Sequence, residues 1–206
     1  GINSKLSPTS DLYEFNLDTE EWMTIIPSGA LPRPRYDHAA AVIEDQMYVF
    51  GGRNEDEYFG DLWVYSHTMR SWRQILFHGD FPSPRAAHTA EVVSNAQYVL
   101  VYGGTSSTTL FNDLWFFNIA EEQWTQIDYN FTTFAPFPLG LTSTSFAGNI
   151  LLASGSDEVQ TPDHAVYLFN SKTNTFSEFA GLDFSNSRTK STVTSISDQY
   201  ALLFGG

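Results

Sequence analysis

Residues 50–63 read Phe-Gly-Gly-Arg-Asn-Glu-Asp-Glu-Tyr-Phe-Gly-Asp-Leu-Trp, and residues 102–115 read Tyr-Gly-Gly-Thr-Ser-Ser-Thr-Thr-Leu-Phe-Asn-Asp-Leu-Trp. In both stretches a glycine doublet follows an apolar run, and an Asp-Leu-Trp triplet begins 10 residues after the first glycine. Internal repeats with periods of roughly 20 to 50 residues are typical of propellers and solenoids, in which each copy forms one structural unit. The chain is therefore interpreted as a repeat protein.

The same register extends over all 206 residues. Its phase marks are Gly1, Gly51, Gly103, Gly155 and Gly205, at intervals of 50, 52, 52 and 50. The second glycine of the doublet is Gly52, Gly104 or Gly206. The remaining marks are three aspartates and, 11 residues after each, three tryptophans: Asp11, Asp61 and Asp113, then Trp22, Trp72 and Trp124.

Each copy is predicted to contain four short strands. In the clearest copy, residues 38–43, 46–50, 62–65 and 71–76 are runs rich in Val, Ile, Tyr, Phe and Trp. Such runs, bounded by Gly, Pro, Asn and Asp, indicate strands. No window keeps an apolar period of 3.6, so we expect almost no helix and predict an all-β fold.

These marks resemble the kelch repeat family. The Pro-Arg-Tyr-Asp-His of residues 34–38 and the Pro-Arg-Ala-Ala-His of residues 84–88 match the Arg/His opening of the innermost kelch strand. The resemblance implies a β-propeller in which each copy is a four-stranded blade. The third copy departs from the pattern, with Pro-Leu-Gly-Leu at 138–141 and Ser154-Gly155 in place of the doublet. We expect that blade to keep its shape without the polar marks.

The repeat boundaries predict one domain over residues 1–206. It comprises a half blade at 1–26, blades at about 27–77, 78–128 and 129–180, and a half blade at 181–206. Two arrangements are open. The chain is part of a larger propeller, which the usual blade number of this family favours, or the two half blades pair and close a four-bladed ring.

A structural role is predicted for each repeated mark. The glycines allow a sharp turn with positive φ. The aspartates begin strands and accept N–H groups of the preceding loop, and the tryptophans fill the wedge between blades. Arg35, Arg85 and Arg188 are expected to hold loop carbonyls or carboxylates near the inner strand. His38 and His88 recur with a spacing of 50, but later copies lack partners for them, so no metal site is expected.

Composition limits the partners. The 10 basic and 24 acidic residues give a net charge of −14, which disfavours nucleic acid and anionic membranes and favours basic proteins or peptides. The chain has no cysteine, which suits a cytoplasmic protein, and no apolar run of membrane-spanning length. Asn130-Phe131-Thr132 is a glycosylation sequon, a triplet that often arises by chance.

Long loops are predicted to lie on one face of the propeller and tight turns on the other. Long loops on a rigid scaffold concentrate recognition residues, so we expect this face to bind a protein or peptide. The parent chain is expected to contribute further blades or domains. The candidate binding residues are Arg35, Tyr36, Arg53, Glu55, Asp56, Glu57, Tyr58, Phe59, Arg85, Ser106, Ser107, Asp157 and Glu158.

Two classes of function remain open. The first is a non-catalytic scaffold or substrate-recognition module. The second is a hydrolase or isomerase that acts on a small ligand at the mouth of the central channel. The chain has no Gly-x-Ser-x-Gly elbow, His-Glu-x-x-His helix or phosphate-binding glycine loop, and no catalytic residue or cofactor is predicted. We therefore favour the interaction module over the enzyme.

Overall fold

The computed structural model describes residues 1–5, 7–93, 97–132, 135–156, 165–179 and 191–205. Asp157, Glu158, Arg188 and Gly206 lie outside these ranges. Seventeen strands and no helix occur in this part of the chain. They are β1 Leu12–Asn16, β2 Glu21–Ile25, β3 Ala39–Ile43, β4 Gln46–Phe50, β5 Leu62–Ser66, β6 Ser71–Ile75, β7 Thr89–Val93, β8 Tyr98–Tyr102, β9 Leu114–Asn118, β10 Gln123–Ile127, β11 Asn130–Phe131, β12 Thr142–Phe146, β13 Asn149–Ala153, β14 Val166–Asn170, β15 Thr175–Glu178, β16 Thr192–Ser195 and β17 Ala201–Phe204.

The strands form three blades and two terminal hairpins. Blade 1 has the order β3-β4-β5-β6, blade 2 has β7-β8-β9-β10, and blade 3 has β12-β13-β14-β15. Neighbours within each blade are antiparallel, and the short β11 pairs in parallel with the outer strand β15. The inner strands β3, β7, β12 and β16 pack side by side in that order. The predicted all-β propeller is confirmed, whereas the blade boundaries and the blade number of the ring remain predictions.

The terminal hairpins form two separate sheets. Within the described ranges, β1 pairs with β2 and β16 pairs with β17. Among the described strands, the pairing between half blades that would close a four-bladed ring does not occur.

Tight turns join the first and second strands of a blade. In blade 1 the turn lies at Glu44 and Asp45, and Glu44 has a φ of 54°. In blade 3 the turn is Ala147-Gly148, because Asn149 already begins β13. Both residues of that turn have positive φ, 48° and 76°. Two left-handed residues are typical of a type I′ hairpin turn, whose backbone twist matches that of the strands.

Aromatic side chains fill the space between blades. The ring of Trp124 packs against Phe50 of the preceding blade, with centroids 5.0 Å apart, and is buried. In blade 3 Phe176 has the same position and packs on Tyr102 at 5.3 Å. Trp22 differs from the prediction: it stacks on Phe15 of its own hairpin and is 70% exposed, because no described blade lies on its other side.

Close contact between neighbouring blades explains why the first position of the doublet is a glycine. Gly51 has a φ of 64°, and an added Cβ would lie 2.6 Å from the Arg85 carbonyl oxygen of the next blade. The equivalent residue in blade 3 is Ser154, with a φ of 62°. Strand register supports this alignment, since Ala153 pairs with Thr142 as Tyr102 pairs with Thr89. The phase mark placed at Gly155 is thus wrong by one residue.

Candidate functional site

Two arginines among the predicted binding residues lie in the interior. Arg35 is 4% exposed and Arg85 is 0% exposed. The guanidinium of Arg35 donates to both carboxylate oxygens of Asp61 at 2.7 and 2.9 Å, and Arg85 binds Asp113 at 2.6 and 2.9 Å. Each also donates to the carbonyl of the first glycine of its own blade, at 2.8 and 3.0 Å. Burial removes both arginines from the candidate binding residues.

The aspartate marks have partners that differ from those predicted. Instead of loop N–H groups, Asp61 and Asp113 accept the arginine donors and an indole N–H from Trp63 or Trp115, at 2.6 and 2.7 Å. Burial alone would raise the pKa of each aspartate, but the hydrogen bonds and charge of the arginine, with the indole, hold the pKa below its usual value. These carboxylates are ionised structural partners rather than proton donors or acceptors.

A phenylalanine lies against each buried guanidinium. The Arg35 Cζ atom is 4.3 Å from the ring centroid of Phe59, and the Arg85 Cζ atom is 4.2 Å from that of Phe111. Phe59 is 2% exposed, so it is also removed from the candidate binding residues. Phe111 and the tryptophans that bond the aspartates were not predicted from the sequence to have a role. Their recurrence at a spacing of 52 was the available signal.

The remaining candidates that the structure describes meet in one groove on the long-loop face. The groove has a volume of about 690 Å³ and lies between the loop at 53–59 of blade 1 and the loop at 105–111 of blade 2. Eight predicted residues line it: Tyr36, Arg53, Glu55, Asp56, Glu57, Tyr58, Ser106 and Ser107. Five further residues that line the groove were not predicted from the sequence: Asn54, Ser83, Pro84, Thr109 and Phe111.

The two walls of this groove have one backbone conformation and different chemistry. In the blade 1 loop, the Asn54 N–H donates to the Glu57 carbonyl at 3.0 Å, and in the blade 2 loop the Ser106 N–H donates to the Thr109 carbonyl at 2.8 Å. The side chains of Asn54 and Ser106 each accept the two N–H groups that lie two and three residues later. One wall then presents Glu55-Asp56-Glu57, and the other presents Ser107-Thr108-Thr109. The acidic residues are therefore not required by the loop fold.

Charges on the acidic wall are only partly neutralised. Glu57 pairs with the Arg33 guanidinium, and Arg53 binds Asp37 at 3.2 Å. Glu55 and Asp56 are exposed and have no ion pair among the described residues.

Arg53 also stacks between two tyrosine rings, Tyr36 at 5.0 Å and Tyr58 at 5.9 Å. The groove therefore offers unpaired negative charge beside a stacked, partly exposed aromatic-arginine cluster.

The central channel forms a second cavity, of about 580 Å³, whose lining includes His38 and His88. The His88 ring is buried and packs on Phe50 with centroids 5.5 Å apart. Burial, then the charge of Arg85, lowers the pKa of His88 to about 3, so the ring is neutral at pH 7. No cluster of three or more His, Cys, Asp or Glu side chains that could hold a metal ion occurs in the described ranges.

Comparison with known proteins agrees with this geometry. Residues 1–206 match the family described as the KLHDC2/KLHL20/DRC7 Kelch-repeats domain. The chain belongs to the kelch-repeat family. Kelch repeats generally mediate protein–protein interaction, and the family is generally non-enzymatic. The described residues contain no helix that is long and apolar enough to cross a membrane.

Several relatives share parts of this kelch domain. The chain is 31% identical over 169 residues to the host cell factor homolog hcf-1 of Caenorhabditis elegans, which covers 71% of this chain and 22% of that protein. It is 36% identical over 61 residues to Kelch repeat-containing protein 2 of Saccharomyces cerevisiae, 27% of this chain and 7% of that protein. It is 46% identical over 43 residues to acyl-CoA-binding domain-containing protein 6 of Oryza sativa subsp. japonica, 21% of this chain and 7% of that protein. The chain thus spans a minor part of each relative.

Proposed function

We propose that this kelch domain is a non-catalytic recognition module that binds a protein or peptide in the groove between the loops at 53–59 and 105–111. One observation carries the proposal. The two loops share a backbone, and the acidic side chains of one are not needed for its conformation, because Ser and Thr form the same turn in the other. Exposed side chains that folding does not require are free to serve recognition.

The chemistry of the groove favours a basic partner. Glu55 and Asp56 leave negative charge without a counter-charge in the described part of the chain, and the net charge of −14 attracts cations at long range. Tyr58, Pro84 and Phe111 add apolar surface to the lining, and Tyr and Arg are common among the residues that dominate binding energy. We infer a Lys- or Arg-containing segment that also carries apolar side chains, and a location in the cytoplasm.

A loop graft tests the proposal. The double variant Glu55→Ser and Asp56→Thr copies the blade 2 loop into blade 1 and keeps the Glu57–Arg33 pair. We expect fluorescent peptides selected on the wild-type protein from a random library to be rich in Lys and Arg. We also expect them to bind the graft about tenfold more weakly, since each lost charge contact contributes roughly 0.5–1 kcal/mol.

The matched control removes two acids from the opposite face. Asp18→Thr with Glu21→Ser changes the net charge by the same amount at the β1–β2 hairpin, where both side chains are exposed. Peptide affinity should then stay within about twofold of wild type, because charges beyond a Debye length of about 8 Å are largely screened. Equal losses in graft and control would show a net-charge effect and not a site. Unchanged affinity in the graft would remove the acidic wall from the binding surface.

No observation in the described residues favours the enzyme alternative. A small-molecule reaction at the channel mouth would call for convergent catalytic groups with matched pKa values. The channel histidine is held neutral, and the carboxylates nearest the glycine doublets are bound to arginines. We propose no catalytic role for either.

A further inference from the structure

The four inner strands that the structure describes carry a single ionisable side chain. Strands β3, β7, β12 and β16 read AAAVI, TAEVV, TSTSF and TVTS, so Glu91 in β7 is the one carboxyl among them. The seam between β3 and β7 is apolar, with Ala41, Ala90 and Val92 in one hydrophobic cluster. The seam between β7 and β12 is polar. Glu91 belongs to neither the groove nor the buried arginine pairs.

Glu91 bridges blades 2 and 3. The Ser143 hydroxyl donates to its Oε1 at 3.2 Å, and the Ser145 hydroxyl lies 3.4 Å from its Oε2. Ser143 also bonds the Thr89 hydroxyl, and the Ser145 hydroxyl shares its proton between Glu91 Oε2 and the Val92 carbonyl oxygen, which lies 3.1 Å away. Both carboxyl oxygens therefore contact the neighbouring blade through neutral hydroxyl groups.

Among the described residues, no cation forms an ion pair with Glu91 that would balance an ionised carboxylate. Lys172 lines a cavity with Val92 and Ser145 but does not pair with Glu91. Strands β3, β12 and β13 pack on β7 and carry no ionisable side chain. The adjacent β8 carries the phenols of Tyr98 and Tyr102 and no carboxylate or basic side chain, and burial raises the pKa of the Tyr102 hydroxyl. His88, just before β7, faces Phe50 in the other seam and is neutral. An ionised Glu91 would be a partly buried charge with only dipolar partners, a costly arrangement that water would relieve on opening.

We propose that Glu91 makes the seam between blades 2 and 3 a protonation-dependent joint, which is tight while the carboxyl carries its proton and loosens when it ionises. Burial raises the pKa of Glu91 despite the two hydroxyl donors, in agreement with this geometry. Below the ordinary carboxyl pKa the proton is bound in both closed and open seams. As the pH rises toward the raised value, the open seam loses its proton first, so opening becomes more favourable.

Amide hydrogen exchange across pH tests the joint on the full chain. In each sample, the amide exchange rate measured in peptides from β12 is divided by the rate measured in peptides from β3. This ratio cancels the intrinsic pH dependence of amide exchange. We expect the ratio to rise between pH 5 and pH 9, by about tenfold for each unit by which the Glu91 pKa exceeds its ordinary value. The isosteric variant Glu91→Gln should give a flat ratio.

A second variant keeps the proposal testable if Glu91→Gln fails to fold. Ser143→Ala with Ser145→Ala removes both donors and should move the rise in the ratio to higher pH. The carboxyl carbon of Glu91, followed by nuclear magnetic resonance, should titrate together with the ratio. A flat ratio in the wild type, a rise that persists in Glu91→Gln, or titration of Glu91 at the ordinary carboxyl value would overturn the joint.

Discussion

Blades 2 and 3 form the same four-stranded sheet from different side chains. Blade 2 has the buried Arg85–Asp113 pair, and blade 3 has Pro138 and Ala165 at the equivalent positions. The connections between blades are nevertheless alike: the Gly52 N–H donates to the Arg85 carbonyl, and the Gly104 N–H donates to the Pro138 carbonyl, both at 2.8 Å. The ion pair is therefore not needed to form a blade. Backbone pairing and the apolar alternation are sufficient, and the arginine holds the long loop against the glycine turn.

The largest expected effect comes from removing one partner of the ion pair in blade 2, since blade 3 lacks both partners. Asp113→Ala would leave the Arg85 guanidinium buried without its counter-charge. We expect the free energy of unfolding in urea to fall by about 3–5 kcal/mol. Arg85→Ala with Asp113→Ala should lose less than the sum of the two single variants, because the double variant leaves no unpaired charge.

Asp11→Ala is the control for that experiment, since Asp11 is the exposed equivalent in the N-terminal hairpin. Its substitution should change stability by no more than about 0.5 kcal/mol. Additive losses from Arg85 and Asp113 would show that the pair is not energetically coupled.

A smaller effect is expected at the turn that precedes the second long loop. Gly103→Ala would place a Cβ 2.4 Å from the Pro138 carbonyl oxygen, at a φ of 73°. We expect a loss of about 3 kcal/mol in thermal or urea unfolding. Ser154 already occupies the equivalent position of blade 3 with φ of 62°, so Ser154→Ala should cost less than Gly103→Ala and lose only the hydrogen bond between the Ser154 and Ser191 hydroxyl groups. Equal tolerance of Ala at 103 and 154 would contradict the role of this close approach.

The smallest effect concerns His88, whose counterpart in blade 3 is Leu141. The folded pKa of about 3 is lower than the ordinary histidine pKa of 6.5, which applies to the unfolded chain, so only the unfolded state binds a proton between these values. The contribution of His88 to stability is therefore fully present above pH 6.5 and is lost as the pH falls toward 3. His88→Leu should remove this loss, which amounts to roughly 2 kcal/mol between pH 6.5 and pH 5.

Unfolding free energies of wild type and His88→Leu, measured at pH 5 and pH 7, give the comparison. The difference between the two proteins isolates His88, because Glu91 and the other carboxyls titrate in both. A difference that stays constant with pH would show that His88 is not buried in its neutral form.

The repeat was readable from the sequence because its marks are local. Gly51 to Asp61 and Gly103 to Asp113 have equal spacing. Each of these segments lies between two five-residue strands that are rich in apolar residues. The candidate site was only partly readable. Arg53 and Arg35 are both loop arginines in the sequence, yet one lines the groove and the other is buried beneath a phenylalanine. Exposure of a loop residue depends on contacts with residues distant in sequence, and spacing does not report them.

The amino-acid sequence by itself determined the repeating unit, the all-β class and the kelch-type marks, since strand periodicity and glycine turns are properties of short segments. The tertiary structure decided which copies of a repeated residue share the same burial and the same contacts. Trp22 is exposed and Trp124 is buried, and the loops at 53–59 and 105–111 meet as two walls of one groove. The physical reason is that burial and charge pairing are set by the neighbouring blade, which lies about fifty residues away along the chain.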